Sequence, residues 1–87
     1  MISTERLASG ATLLLEPVDR TDTLCIGFWF LHGSRDESEA EKGYSHFLEH
    51  MLFRGTRRFA TAYEVSFASE RLGGMIEAAT YADFTHF

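Results

Sequence analysis

The sequence predicts a small mixed fold, with extended segments at both ends and two helices between them, and three observations carry that prediction. Aromatic and β-branched residues crowd positions 23–32 and again 84–87. Apolar residues recur at helical spacing over 44–53, and Thr61 with Glu64 marks the start of a second helix. Eighty-seven residues suffice for one small domain and exclude a second. With 45% hydrophobic and 14% aromatic residues the chain has core-forming material, which argues against a disordered polar segment.

The elements follow in order. Residues 7–18 read as two extended pieces around Ser9-Gly10, a first strand or hairpin in which Leu13, Leu14 and Leu15 are too apolar for a surface strand and Pro17 ends the run. Residues 23–32 are apolar on both parities, as in a central strand covered on both faces, and Gly33-Ser34 stops it. The stretch 35–42, RDESEAEK, reads as a solvated, charge-dense loop. Over 44–53 the recurrence of Tyr44, Phe47, Leu48, Met51 and Leu52 predicts a helix that ends near Gly55. The second helix opens with the Thr61–Glu64 capping box, buries Val65, Ala68 and Leu72, and stops at Gly73-Gly74. Residues 75–81 form a third extended segment, Ala82-Asp83 a turn, and 84–87 the start of a further strand, which is expected to continue beyond Phe87.

Composition narrows the function classes. Eight basic against thirteen acidic residues give a net charge of −5, and the one basic cluster, Arg54, Arg57 and Arg58, lacks interleaved stacking aromatics, so nucleic-acid binding is not expected. The longest apolar run, 24–31, is far short of the roughly 20 residues that cross a bilayer, so no membrane span is expected. The amino terminus shows no secretory pattern, which favours a cytoplasmic location. Cys25, flanked by Leu24 and Ile26, reads as a buried, inert thiol.

The chemistry is concentrated in HFLEH, residues 46–50. A helix advances about 100° per residue, so His46 and His50 lie one turn apart on one side, with Glu49 beside them. Two neutral imidazoles arranged in this way can meet one zinc ion, and a carboxylate adjacent to the ion can take a proton from its water. Inverted zinc-peptidase motifs have the form H-x-x-E-H. Phe47 and Leu48 direct the helix's other side into a core and leave the histidine side to a cleft. His32 and His86 read as structural residues, and Thr80 and Asp83 as residues of the turn.

GSRDE at 33–37, HFLEHMLFRGT at 46–56, and LGG at 72–74 followed by AAT and DFTHF together resemble successive landmarks of the pitrilysin/insulinase family of zinc metallopeptidases, which includes the mitochondrial processing peptidases. The order and spacing match over nearly the whole chain. The resemblance implies an α+β fold, an antiparallel sheet with helices packed on one side. It implies Zn2+ as cofactor, His46 and His50 as metal ligands, and Glu49 as the catalytic base of an endopeptidase. It further implies that the third ligand is a glutamate downstream of Phe87, so that residues 1–87 form the amino-terminal part of a longer peptidase domain. Partners implied are a peptide or protein substrate and a related subunit or second half-domain.

After Gly73-Gly74 the family usually has asparagine then alanine, where this chain has Glu77 then Ala78. The resemblance implies that the backbone of Ala78 pairs with substrate as an added strand. For Glu77 two readings stand: a cleft-facing carboxylate that favours basic substrates or meets the zinc water, or an exposed strand residue of little effect. The alternative to an enzyme is a substrate-holding subunit of the same family without chemistry of its own.

Overall fold

Antiparallel pairing builds two separate sheets in this protein, and both helices lie in the chain between two strands of the second sheet. The computed structural model describes residues 1–87. Strands β1 (Ser3–Arg6) and β2 (Thr12–Leu15) form a hairpin with Ser3 opposite Leu15 and Arg6 opposite Thr12. Gly10, at φ 91°, supplies the left-handed backbone of the turn, and its N–H donates to the Leu7 carbonyl at 2.9 Å. The hairpin centres on Ser9-Gly10 as expected, but its first strand precedes Leu7. Leu14 and Leu15 are exposed, because the turn at Gly10 sets the register whatever the apolar content of the strand.

The second sheet has the order β3–β5–β4, from β3 (Trp29–Phe30), β4 (Ala79–Thr80) and β5 (Thr85–His86). Trp29 and Ala79 both lie opposite His86, and Phe30 and Thr80 both lie opposite Thr85. Phe28 and Phe87 exchange backbone hydrogen bonds of 2.8 and 2.9 Å and lengthen the β3–β5 ladder. Tyr81 N–H donates to the Phe84 carbonyl at 2.8 Å and closes the expected turn at Ala82-Asp83.

The expectation of a central, doubly covered strand over 23–32 is corrected: only Trp29 and Phe30 form a strand, they lie at the sheet edge, and both side chains are exposed. β5 is central instead. An apolar run records that a segment can be covered, and its number of neighbours depends on pairing with distant residues. Cys25, in the unpaired part of that run, is exposed rather than buried.

Helix α1 (Tyr44–Leu52) lies against β4. Its N-cap, Gly43, has φ 89° and no side chain with which to cap the helix. Glu37 supplies the missing acceptor from upstream: Oε1 accepts from Gly43 N–H at 3.0 Å and Oε2 from Ser45 N–H at 2.6 Å. Two donors at the open end of the helix are satisfied in this way, with a negative charge set at the positive end of the dipole. The loop carrying Glu37 is itself anchored, since Ser34 and Arg35 N–H donate to the carbonyls of Tyr81 and Ala82 at 3.0 and 2.8 Å. Gly33 is buried against the same turn, where a Cβ would come within 2.6 Å of the Ala82 carbonyl oxygen. The charge-dense loop is therefore two short 3-10 turns, Ser34–Asp36 and Glu39–Glu41, with a structural task.

Helix α2 (Ala62–Glu70) begins with the expected capping box, in which Glu64 N–H donates to Thr61 Oγ1 at 3.2 Å and Thr61 N–H to Glu64 Oε2 at 3.0 Å. Val65 is the one buried apolar residue of the chain. Gly73, at φ 79°, ends the segment, and its N–H donates to the Glu70 carbonyl at 2.9 Å. Leu72 falls beyond the helix and is exposed, contrary to its expected place on the buried face.

Two predictions concern these helix ends. The N–H and hydroxyl of Ser45 and then the N–H of Gly43 hold the Glu37 carboxyl below its ordinary value of 4.5. A depressed folded-state pKa means that the tie is complete above the ordinary carboxylate range and is lost as pH falls through the folded-state value. The Ser45 amide proton should therefore titrate below pH 4.5 in NMR spectra, and Glu37→Gln should abolish that titration; an amide indifferent to pH in the parent protein would refute the tie. Thr61→Ala should destabilise α2 by about 1 kcal/mol, read as faster hydrogen exchange at Glu64 and Val65.

Candidate metal centre

The single turn of α1 from His46 to His50 brings three donor groups together. Nε2 of His46 and Nε2 of His50 are 2.8 Å apart, and one ligand atom from each of His46, Glu49 and His50 lies within 4.8 Å of the others. The two rings are tilted by 60° with centroids 4.5 Å apart. Both histidines are exposed and Glu49 is half-buried. The helical spacing produces this cluster directly, because positions four apart stack one above the other.

Thr80 holds the carboxylate. Its hydroxyl donates to Glu49 Oε2 at 2.5 Å, across 31 positions of sequence. The expectation that Thr80 serves the turn is corrected accordingly: the hydroxyl leaves the turn and reaches α1. No spacing rule links positions 49 and 80, so this contact had no signal in the sequence.

A cleft of about 550 Å³ runs between the start of α1 and β4, lined by His46, Glu49, Glu37, Ala78, Ala79 and Thr80 among others. Ala78 thus shares a cleft with two of the three helix residues. Glu77 is exposed and is not part of that lining. On the other side of Glu49 lies an apolar cavity of about 280 Å³, walled by Phe30, Tyr44, Leu48, Leu52 and Phe87, with His32 at its edge. His86 stands apart from the cluster, stacked on Trp29 and Tyr81 at 5.5 and 5.8 Å.

The donor chemistry fits zinc. Imidazole nitrogens bind it at about 2.0–2.1 Å, so two of them on a tetrahedral ion are about 3.3 Å apart. The observed 2.8 Å is the separation at which two ring nitrogens share one proton. Replacing that proton by an ion requires the rings to part by about 0.5 Å, within the reach of exposed side-chain torsions. No further cysteine, histidine or acidic residue joins the cluster.

Paired imidazoles with an adjacent carboxylate on one helical turn, set beside an antiparallel sheet, place the chain in the class of zinc-peptidase folds with an inverted motif. The profile of the family described as insulinase, peptidase family M16, matches residues 13–87, and the chain belongs to that family. An uncharacterized zinc protease of Bacillus subtilis, YmxG, is 36% identical over 85 residues, which are 98% of this chain and 20% of that protein. The beta subunit of the mitochondrial-processing peptidase of Blastocladiella emersonii is 36% identical over 80 residues, 92% of this chain and 17% of that protein. Core protein I of the ubiquinol-cytochrome-c reductase complex of Euglena gracilis is 39% identical over 64 residues, 74% of this chain and 13% of that protein. The chain spans a fifth or less of the length of these relatives.

Proposed function

We propose that residues 1–87 carry the water-activating half of a zinc-dependent endopeptidase site that hydrolyses peptide bonds in polypeptides. The observation that carries this reading is the meeting of His46, Glu49 and His50 within 4.8 Å, with His46 and Glu49 lining a cleft whose opposite wall includes Ala78, the residue just before β4. His46 and His50 would hold the ion. Zinc, when bound, supplies a Lewis acid that acidifies a water and polarises the scissile carbonyl. Glu49 takes the proton of the attacking water on its carboxylate and returns it to the departing amine. Two imidazoles are one protein ligand short of a catalytic zinc site, and the missing ligand is assigned to a carboxylate outside residues 1–87.

The backbone at Ala78 orients the substrate by strand addition, a role supported by its position in the cleft beside Glu49. Glu77, exposed and away from the lining, has no such support, and a direct role in the cleft is not part of this reading. The relatives named as subunits of larger assemblies support a related subunit or half-domain as partner.

A second reading, a substrate-holding subunit without chemistry, is favoured by the likeness to core protein I of a reductase complex. One set of variants in the full-length protein decides between them. Glu49→Gln should keep zinc and lower peptide turnover by about 10²–10⁴-fold, whereas His50→Ala should lose zinc on metal analysis. Normal turnover in Glu49→Gln removes Glu49 as the base. A zinc-free parent protein that binds peptide without cutting it establishes the second reading.

A further inference from the structure

The geometry points to Thr80 as a positioning residue for Glu49, one that fixes the base to the strand on which substrate docks. This rests on the endopeptidase reading. Glu49 has two oxygens, and the Thr80 hydroxyl engages only Oε2. A hydroxyl donor on one oxygen restricts the plane of the carboxylate and leaves Oε1 without a hydrogen bond of its own. Without it, a half-buried helix glutamate samples several rotamers, of which few place an oxygen beside the two imidazoles.

The donor is itself held. Thr80 lies opposite Thr85 in the β4–β5 ladder, and Thr85, buried, donates through Oγ1 to the His32 carbonyl at 2.8 Å. The next residue, Tyr81, closes the turn to Phe84 by its N–H at 2.8 Å. The hydroxyl thus projects from a backbone pinned on both sides of it. Ala78, two residues earlier on the same segment, faces the cleft with Glu49. A peptide that registers on this segment is therefore placed against the same rigid frame as the base, and the distance from scissile bond to carboxylate depends on one short piece of chain. Misplacing a catalytic group by a fraction of this distance is costly even where binding is unchanged.

Two variants of the full-length protein test the assignment. Thr80→Val keeps shape and strand preference but removes the donor, while Thr80→Ser keeps the hydroxyl and removes the methyl group. Thr80→Val should lower kcat by about 10- to 100-fold with little change in KM and with zinc content equal to the parent; Thr80→Ser should restore kcat to within about threefold. Crystal structures of the two variants, prepared without metal, give a readout independent of turnover: the Glu49 carboxylate should leave its position in Thr80→Val and keep it in Thr80→Ser. A Glu49 side chain unmoved in Thr80→Val, or a Thr80→Ser enzyme as slow as Thr80→Val, overturns the positioning role. Where Glu49→Gln abolishes turnover and Thr80→Val does not, only the role of Thr80 fails; where Glu49→Gln is fully active, the endopeptidase reading beneath it fails.

Discussion

Glu37 binds the open end of α1 through the N–H groups of Gly43 and Ser45, and the loop that carries it is hydrogen-bonded to the β4–β5 turn. Through that tie the histidine helix is set beside the sheet. The paired imidazoles of α1 are thereby held at one height and rotation relative to β4. The connection made by residues 33–37 does this with backbone donors, one buried glycine and one carboxylate. Thr80 completes the frame from the opposite wall by holding Glu49.

Polar ties carry this weight because burial is scarce. Only Gly33, Val65 and Thr85 are buried, while Trp29, Phe30, Phe47 and Leu48 are more than half exposed. A hydrogen bond contributes about 1 kcal/mol net, so several of them can set the orientation of an element but cannot replace an apolar core. Apolar surface of this extent is the kind that proteins cover with further structure or with a partner. The cavity walled by Phe30, Tyr44, Leu48, Leu52 and Phe87 belongs to that surface, directly behind Glu49.

Glu49 consequently stands at a boundary, with the polar cleft of His46 and Ala78 on one side and an apolar cavity on the other. The family to which the chain belongs includes relatives named as proteases and one named as a core protein of a reductase complex, so the surrounding frame is shared more widely than any one activity.

Local chemistry was legible in the residues themselves. The spacing of His46, Glu49 and His50, the Thr61–Glu64 box, the stop at Gly73 and the Ala82-Asp83 turn all depend on residues within a few positions of each other, where helix geometry and backbone sterics decide the outcome. Only tertiary structure decided that β5 rather than β3 is central, that Cys25 is exposed, that Glu37 caps α1, and that Thr80 reaches Glu49. Those outcomes rest on contacts between residues distant in the chain. A hydroxyl or carboxylate carries no mark in sequence of which remote donor or acceptor it will meet, because that partner is chosen by the packing of whole elements.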